Sequence, residues 1–115
     1  MNSNPRFLQG VFTFEGRGLT EPEALDGGLA YTVPSDRRAQ LVYFRGGNSA
    51  TELIYALLMR GDEPMRYFPI GARSACHVPL RVVEDLPPDT VLAVHLAAPE
   101  NATGTIVIDV GIIES

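Results

Sequence analysis

The chain has 115 residues and a mass of 12.5 kDa, with 45% hydrophobic and 20% charged residues. That is the length of one domain, too apolar for a disordered chain and without the repeats of collagen or a coiled coil. No apolar run approaches the ~20 residues of a membrane helix, and nine basic against fourteen acidic residues leave a net charge of −5, which repels nucleic-acid phosphates. All nine basic residues are Arg, so Schiff-base chemistry and a phosphate-loop lysine are both excluded. The one cysteine, Cys76, leaves no intrachain disulfide. The start, Met1 to Arg6, lacks the apolar core of a signal peptide, and the chain reads as cytoplasmic.

Residues 1–28 read as an irregular segment, with Phe7–Phe14 as a candidate edge strand and glycines 16, 18, 27 and 28 as loop material. Residues 29–115 read as the sandwich proper, so the chain is a single domain. Leu29–Val33 and Ala39–Phe44 are predicted strands, with a turn at Gly46-Gly47-Asn48-Ser49. Residues 50–60 have two competing readings. Ser49 and Glu52 fit a capping box, and Gly61 fits a helix end. A strand fits better, because Met65–Ile70 then gains a hairpin partner across Gly61-Asp62-Glu63.

Ser74–Glu84 alternates, with Cys76, Val78, Leu80 and Val82 on one face and His77, Pro79, Arg81 and Val83 on the other. Pro79 lacks an amide donor and marks an edge strand. Asp85–Asp89 is a proline-stiffened connection. Thr90–Ala98 points Leu92, Val94, Leu96 and Ala98 inward. Thr105–Ile113 does the same with Ile106, Ile108, Val110 and Ile112, and its Asp109 projects outward. The predicted fold is an all-β antiparallel sandwich of about seven strands.

The soft metal ligands are few. Cys76 and His77 point to opposite faces of a strand, so they cannot chelate one ion there. If strands 74–84 and 90–98 pair with Val78 opposite Ala98, His95 falls beside Arg81, while His77 lies roughly 13 Å further along. If Pro87-Pro88 carries the chain across to the other sheet, the histidines face opposite sides. Neither arrangement makes a metal site, and no cofactor is implied. No activated nucleophile or nucleophile elbow appears. Asp109 reads as an acid that is solvated or paired with Arg. The aromatics read mainly as core.

Two functional classes fit. One is a non-catalytic oligomeric binding or structural module. The other is a small-ligand or metal binder, or a cupin-like enzyme, using His77, His95 and Arg81. The first is favoured by apolar residues on outward positions. Val91, Ala93 and Ala97 occupy the outer row of Thr90–Ala98, where a lone sandwich shows polar residues. Val83 and Val107 add to this surface, and 53–59 is two-sided through Ile54, Ala56 and Leu58. A second copy, in a two-fold dimer, or another protein partner would cover them. The segment 1–28 is the competing cover. His95 would then lie near the interface, where acidification charges it.

Overall fold

A computed structural model describes residues 3–25, 27–81 and 84–115. The expected all-β sandwich forms, from ten strand segments. These are β1 (Asn4–Glu15), β2 (Glu23–Ala24), β3 (Ala30–Thr32), β4 (Ala39–Asn48), β5 (Ile54–Arg60), β6 (Glu63–Ile70), β7 (Ala75–Pro79), β8 (Asp85–Leu86), β9 (Val91–Ala97) and β10 (Thr103–Glu114). One sheet runs β1-β10-β4-β7, with β8 continuing the β7 edge along β4. The other runs β2-β9-β5-β6, with β3 beside β2 along β9. All pairs are antiparallel. The ten segments thus fill eight positions in the order of a jelly roll.

The long axis of 46 Å follows from 12-residue strands at about 3.4 Å per residue. The core lies between the sheets. Ile106, Ile108, Val110 and Ile112 of β10 face Leu92, Val94 and Leu96 of β9 and Ile54, Ala56 and Leu58 of β5. Phe44 and Phe68 stack across the layer, with ring centroids 4.3 Å apart and planes within 6°. Burying each such side chain is worth about 1.5–3 kcal/mol.

Several local expectations change. Residues 50–60 hold a strand and no helix, and Ser49 Oγ accepts from Thr105 N–H at 2.8 Å instead of capping. The hairpin to β6 closes through Gly61-Asp62, with Gly61 at φ +60°, the left-handed conformation a two-residue hairpin asks of its first position. Residues 53–59 present the opposite face from the one expected: Ile54, Ala56 and Leu58 turn into the core, and Tyr55, Leu57 and Met59 lie on the outer face, where Leu57 is still buried. Gly46-Gly47-Asn48 is strand, not turn. Gly46 is there for space, because a Cβ would sit 2.8 Å from both the Phe44 ring and Ile70.

The least regular segment of the sequence contains one of the two longest strands. β1 pairs with β10 along its whole length without a register shift. β7 is an edge strand ending at Pro79. The expected faces of Val82 and Val83 lie outside the described residues. Strands 74–84 and 90–98 do not pair. β7 bonds to β4 in one sheet and β9 to β5 in the other, because Pro87-Pro88 carries the chain across the layer.

Two buried polar residues tie the sheets at opposite ends. Asn48 Nδ2 donates to the carbonyls of Glu52 at 2.9 Å, Gly71 at 3.1 Å and Ile70 at 3.3 Å, and its Oδ1 accepts from Ala50 N–H at 2.9 Å. At the other end, buried Glu114 of β10 accepts from Tyr31 Oη of β3 and from Arg6 Nε at 3.2 Å. Truncating Asn48 strands buried backbone groups, each worth about 1–3 kcal/mol when left unpaired. Asn48→Ala is expected to cost about 2–4 kcal/mol in urea unfolding, as some groups recover water. A loss under 1 kcal/mol would remove Asn48 as a tie between the sheets.

Candidate functional site

The pleat that buries Ile108 and Val110 turns Asp109 to the outer face of the β1-β10-β4-β7 sheet. Register then sets a polar row across all four strands: Gln9, Asp109, Arg45 and His77. Gln9 Nε2 donates to Asp109 Oδ1 at 3.1 Å, and Tyr43 Oη donates to the same oxygen at 3.0 Å. Arg45 stands 3.9 Å from Asp109 Oδ2, a loose and solvent-screened pair. The Tyr43 and His77 rings meet edge to face, centroids 5.9 Å apart.

Tyr43 reaches over β10 because Gly111 has no side chain. A Cβ at Gly111 would sit 2.1 Å from Tyr43 Cε2. Partial burial first, then the hydrogen bond to Asp109 and its charge, push the Tyr43 phenol above its ordinary value of 10.0, against the pull of Arg45.

Beside this row lies a shallow groove of about 500 Å³. Gly47 and Ala75 form its floor, Val107 one wall and His77 the other, with Arg45 and Asp109 at one end. Cys76, which also borders it, turns toward the core, and burial pushes its thiol up, away from the nucleophilic thiolate. A second hollow of about 480 Å³ lies at one end of the sandwich, near the Arg17–Glu23 ion pair at 2.9 Å.

The three candidate ligand residues are not brought together. His77 lines the groove, and Arg81 lies exposed beyond the end of β7. His95 sits on the outer face of the opposite sheet, between Leu57 and Ala24. The pairing of Arg81 with His95 is therefore corrected: Arg81 follows β7 of one sheet, while His95 lies on β9 of the other. Among the described residues, no three His, Cys, Asp or Glu side chains gather to hold a metal ion.

The interface candidates divide likewise. Val107 is 48% exposed on the groove wall, and Val91 is 42% exposed on the other sheet. Ala93 is half-buried. Ala97 is buried beside Tyr55. The 16–19 turn is tied down there, by Gly18 N–H to the Ala98 carbonyl and by Tyr55 Oη to the Leu19 carbonyl. Part of the glycine-rich N-terminal segment thus does act as a cover. Tyr43, Tyr55 and Tyr67 lie on outer faces, not in the core. Gln9, Tyr43 and Arg45 had no sequence signal of their own; only the outward phase of Asp109 pointed to this row.

A phenol whose folded pKa is raised keeps its proton longer in the folded chain. Its contribution is complete below pH 10 and is lost as the pH rises toward the raised value. Tyr43→Phe is expected to reduce the loss of stability above pH 10, read from urea unfolding between pH 8 and 11. Tyr31 shares this direction through its own burial and Glu114, so part of the loss persists. An unchanged slope would remove Tyr43 as its source.

No family model and no curated protein matches the sequence. Solved structures do match in fold. One is a protein of Bacillus endospore appendages, described as a novel family of disulfide-linked pili. It has a TM-score of 0.51 and 10% identity, over 99% of this chain and 89% of that one. Another is an exo-β-1,3-galactanase from Phanerochaete chrysosporium, with a TM-score of 0.39 and 12% identity, over 93% of this chain and 29% of that one. At 10% identity the likeness to the appendage protein is one of fold alone.

Proposed function

We propose that this protein is a non-catalytic structural module that works by assembling with copies of itself. The observation that carries this reading is apolar exposure on the outer faces of both sheets. Phe7 is 54%, Val11 67% and Val107 48% exposed on one; Tyr67 is 58% and Val91 42% exposed on the other. A monomer in water gains nothing from such surfaces, and contiguous apolar patches mark contact sites. The fold likeness to a pilus-forming appendage protein, spanning nearly the whole of both chains, supports the reading. We propose a cytoplasmic location, where a single unpaired cysteine stays reduced.

The groove beside Arg45 and His77 favours a second reading, capture of a small ligand on the outer sheet face. Loss of ligand-induced thermal stabilisation in an Arg45→Ala chain would be its mark.

Light scattering from micromolar to hundreds of micromolar concentrations tests the main reading. The expected mass rises in multiples of 12.5 kDa. A mass constant at 12.5 kDa would refute self-assembly.

A further inference from the structure

We propose that β1 is the assembly edge, and that its occupant is the β1 strand of a second copy, paired antiparallel about a two-fold axis at Gln9. This rests on the assembly reading above.

The sandwich has four lateral edges, and three are guarded. The β7/β8 edge is five residues ending at Pro79, then two residues followed by Pro87-Pro88. The β6 edge holds Pro64 and Pro69 and a register shift. The β2/β3 edge is split into pieces of two and three residues. Proline has no N–H to offer, and a short or bulged edge cannot template a partner. β1 has none of these devices between Phe7 and Phe14, its one proline, Pro5, standing near its N-terminal end. It runs 12 residues with an unbroken register. Between Phe7 and Phe14 it has neither a proline nor a charge. Every second residue of β1 turns its N–H and C=O away from β10. Among the described residues, no backbone group outside the sheet bonds to it.

The strand is complementary to itself. Antiparallel pairing about Gln9 sets residue i opposite residue 18−i. Phe7 and Val11 are the most exposed apolar side chains of β1. In this register Phe7 of one copy faces Val11 of the other, and Val11 faces Phe7. Axes at Leu8 or Gly10 set both against Gln9, Pro5 or Thr13, and an axis at Val11 sets Phe7 against Glu15. A parallel in-register pairing would stack Arg6 on Arg6 and Glu15 on Glu15. The antiparallel one sets Arg6 opposite Phe12 and Glu15 opposite Ser3, so that no like charges face each other. The polar row His77–Arg45–Asp109–Gln9 then continues through the Gln9 of the second copy, and two four-strand sheets become one.

The test uses the full chain and three variants. Val11→Lys changes an outward side chain and keeps the fold, which circular dichroism checks. Leu53→Lys places the same charge on a side chain 48% exposed just before β5 of the opposite sheet. The expected result is a wild-type mass that doubles with concentration, a dissociation constant raised at least about tenfold by Val11→Lys, and no change with Leu53→Lys. In a Cys76→Ser background, Gln9→Cys is expected to give a disulfide-linked dimer on mild oxidation. Directly opposed residues lie about 4.5–5.5 Å apart at Cα, within disulfide reach. A Val11→Lys chain that doubles like wild type, or a Gln9→Cys chain that stays unlinked at doubling concentrations, overturns the β1 contact and leaves self-assembly standing. A wild-type mass that never rises overturns both.

Discussion

The pleat of β10 is the constraint on which the rest of this molecule depends. Its side chains alternate strictly, so burying Ile106, Ile108, Val110 and Ile112 obliges Val107, Asp109 and Ile113 to face out. A slip of one residue would exchange the two sets, and at about 1.5–3 kcal/mol for each buried aliphatic no slipped register competes. Because β10 is paired on both sides, it imposes its phase on β1 and β4. The outer row of Gln9, Asp109 and Arg45 is therefore a consequence of the core, laid out by the same alternation that hides the isoleucines.

Apolar layers of this kind hold sheets together without orienting them finely. The orientation comes from polar groups buried at the two ends. Asn48 binds β4 to the turn that leaves β6, and its amide satisfies carbonyls that would otherwise be buried unpaired. Glu114 does the corresponding work at the far end, with Tyr31 from the opposite sheet and Arg6 from β1. No buried side-chain nitrogen or oxygen among the described residues lacks a partner. That completeness lets polar groups sit inside without the desolvation cost of an unmet bond.

The surface is arranged less evenly than the core. Prolines and short segments guard three edges, while the longest is plain from Phe7 to Phe14. The outer faces carry aromatic and aliphatic side chains where a solitary sandwich would carry charge. Small residues shape these faces as much as large ones do. Gly111 makes room for the Tyr43 ring, and Gly47 with Ala75 opens the groove.

What the sequence by itself determined was local. Period-two alternation from Thr90 to Ile113 set which residues face inward, and Pro79 marked an edge. Gly61 set the hairpin that made residues 54–60 a strand. These features follow from one residue and its near neighbours. Pairing was decided only by the tertiary structure. β7 and β9 are consecutive long strands with matching apolar faces, yet they lie in different sheets, and so His95 never meets Arg81. Gly46 and Gly47 look like a turn and are strand: the space at Gly46 is filled by Phe44 of the same strand and by Ile70 from the other sheet, while Gly47 leaves the groove open. Alternation tells a strand which way to face but not whom to sit beside. That choice depends on contacts between residues as far apart as Gln9 and Asp109, which no local pattern encodes.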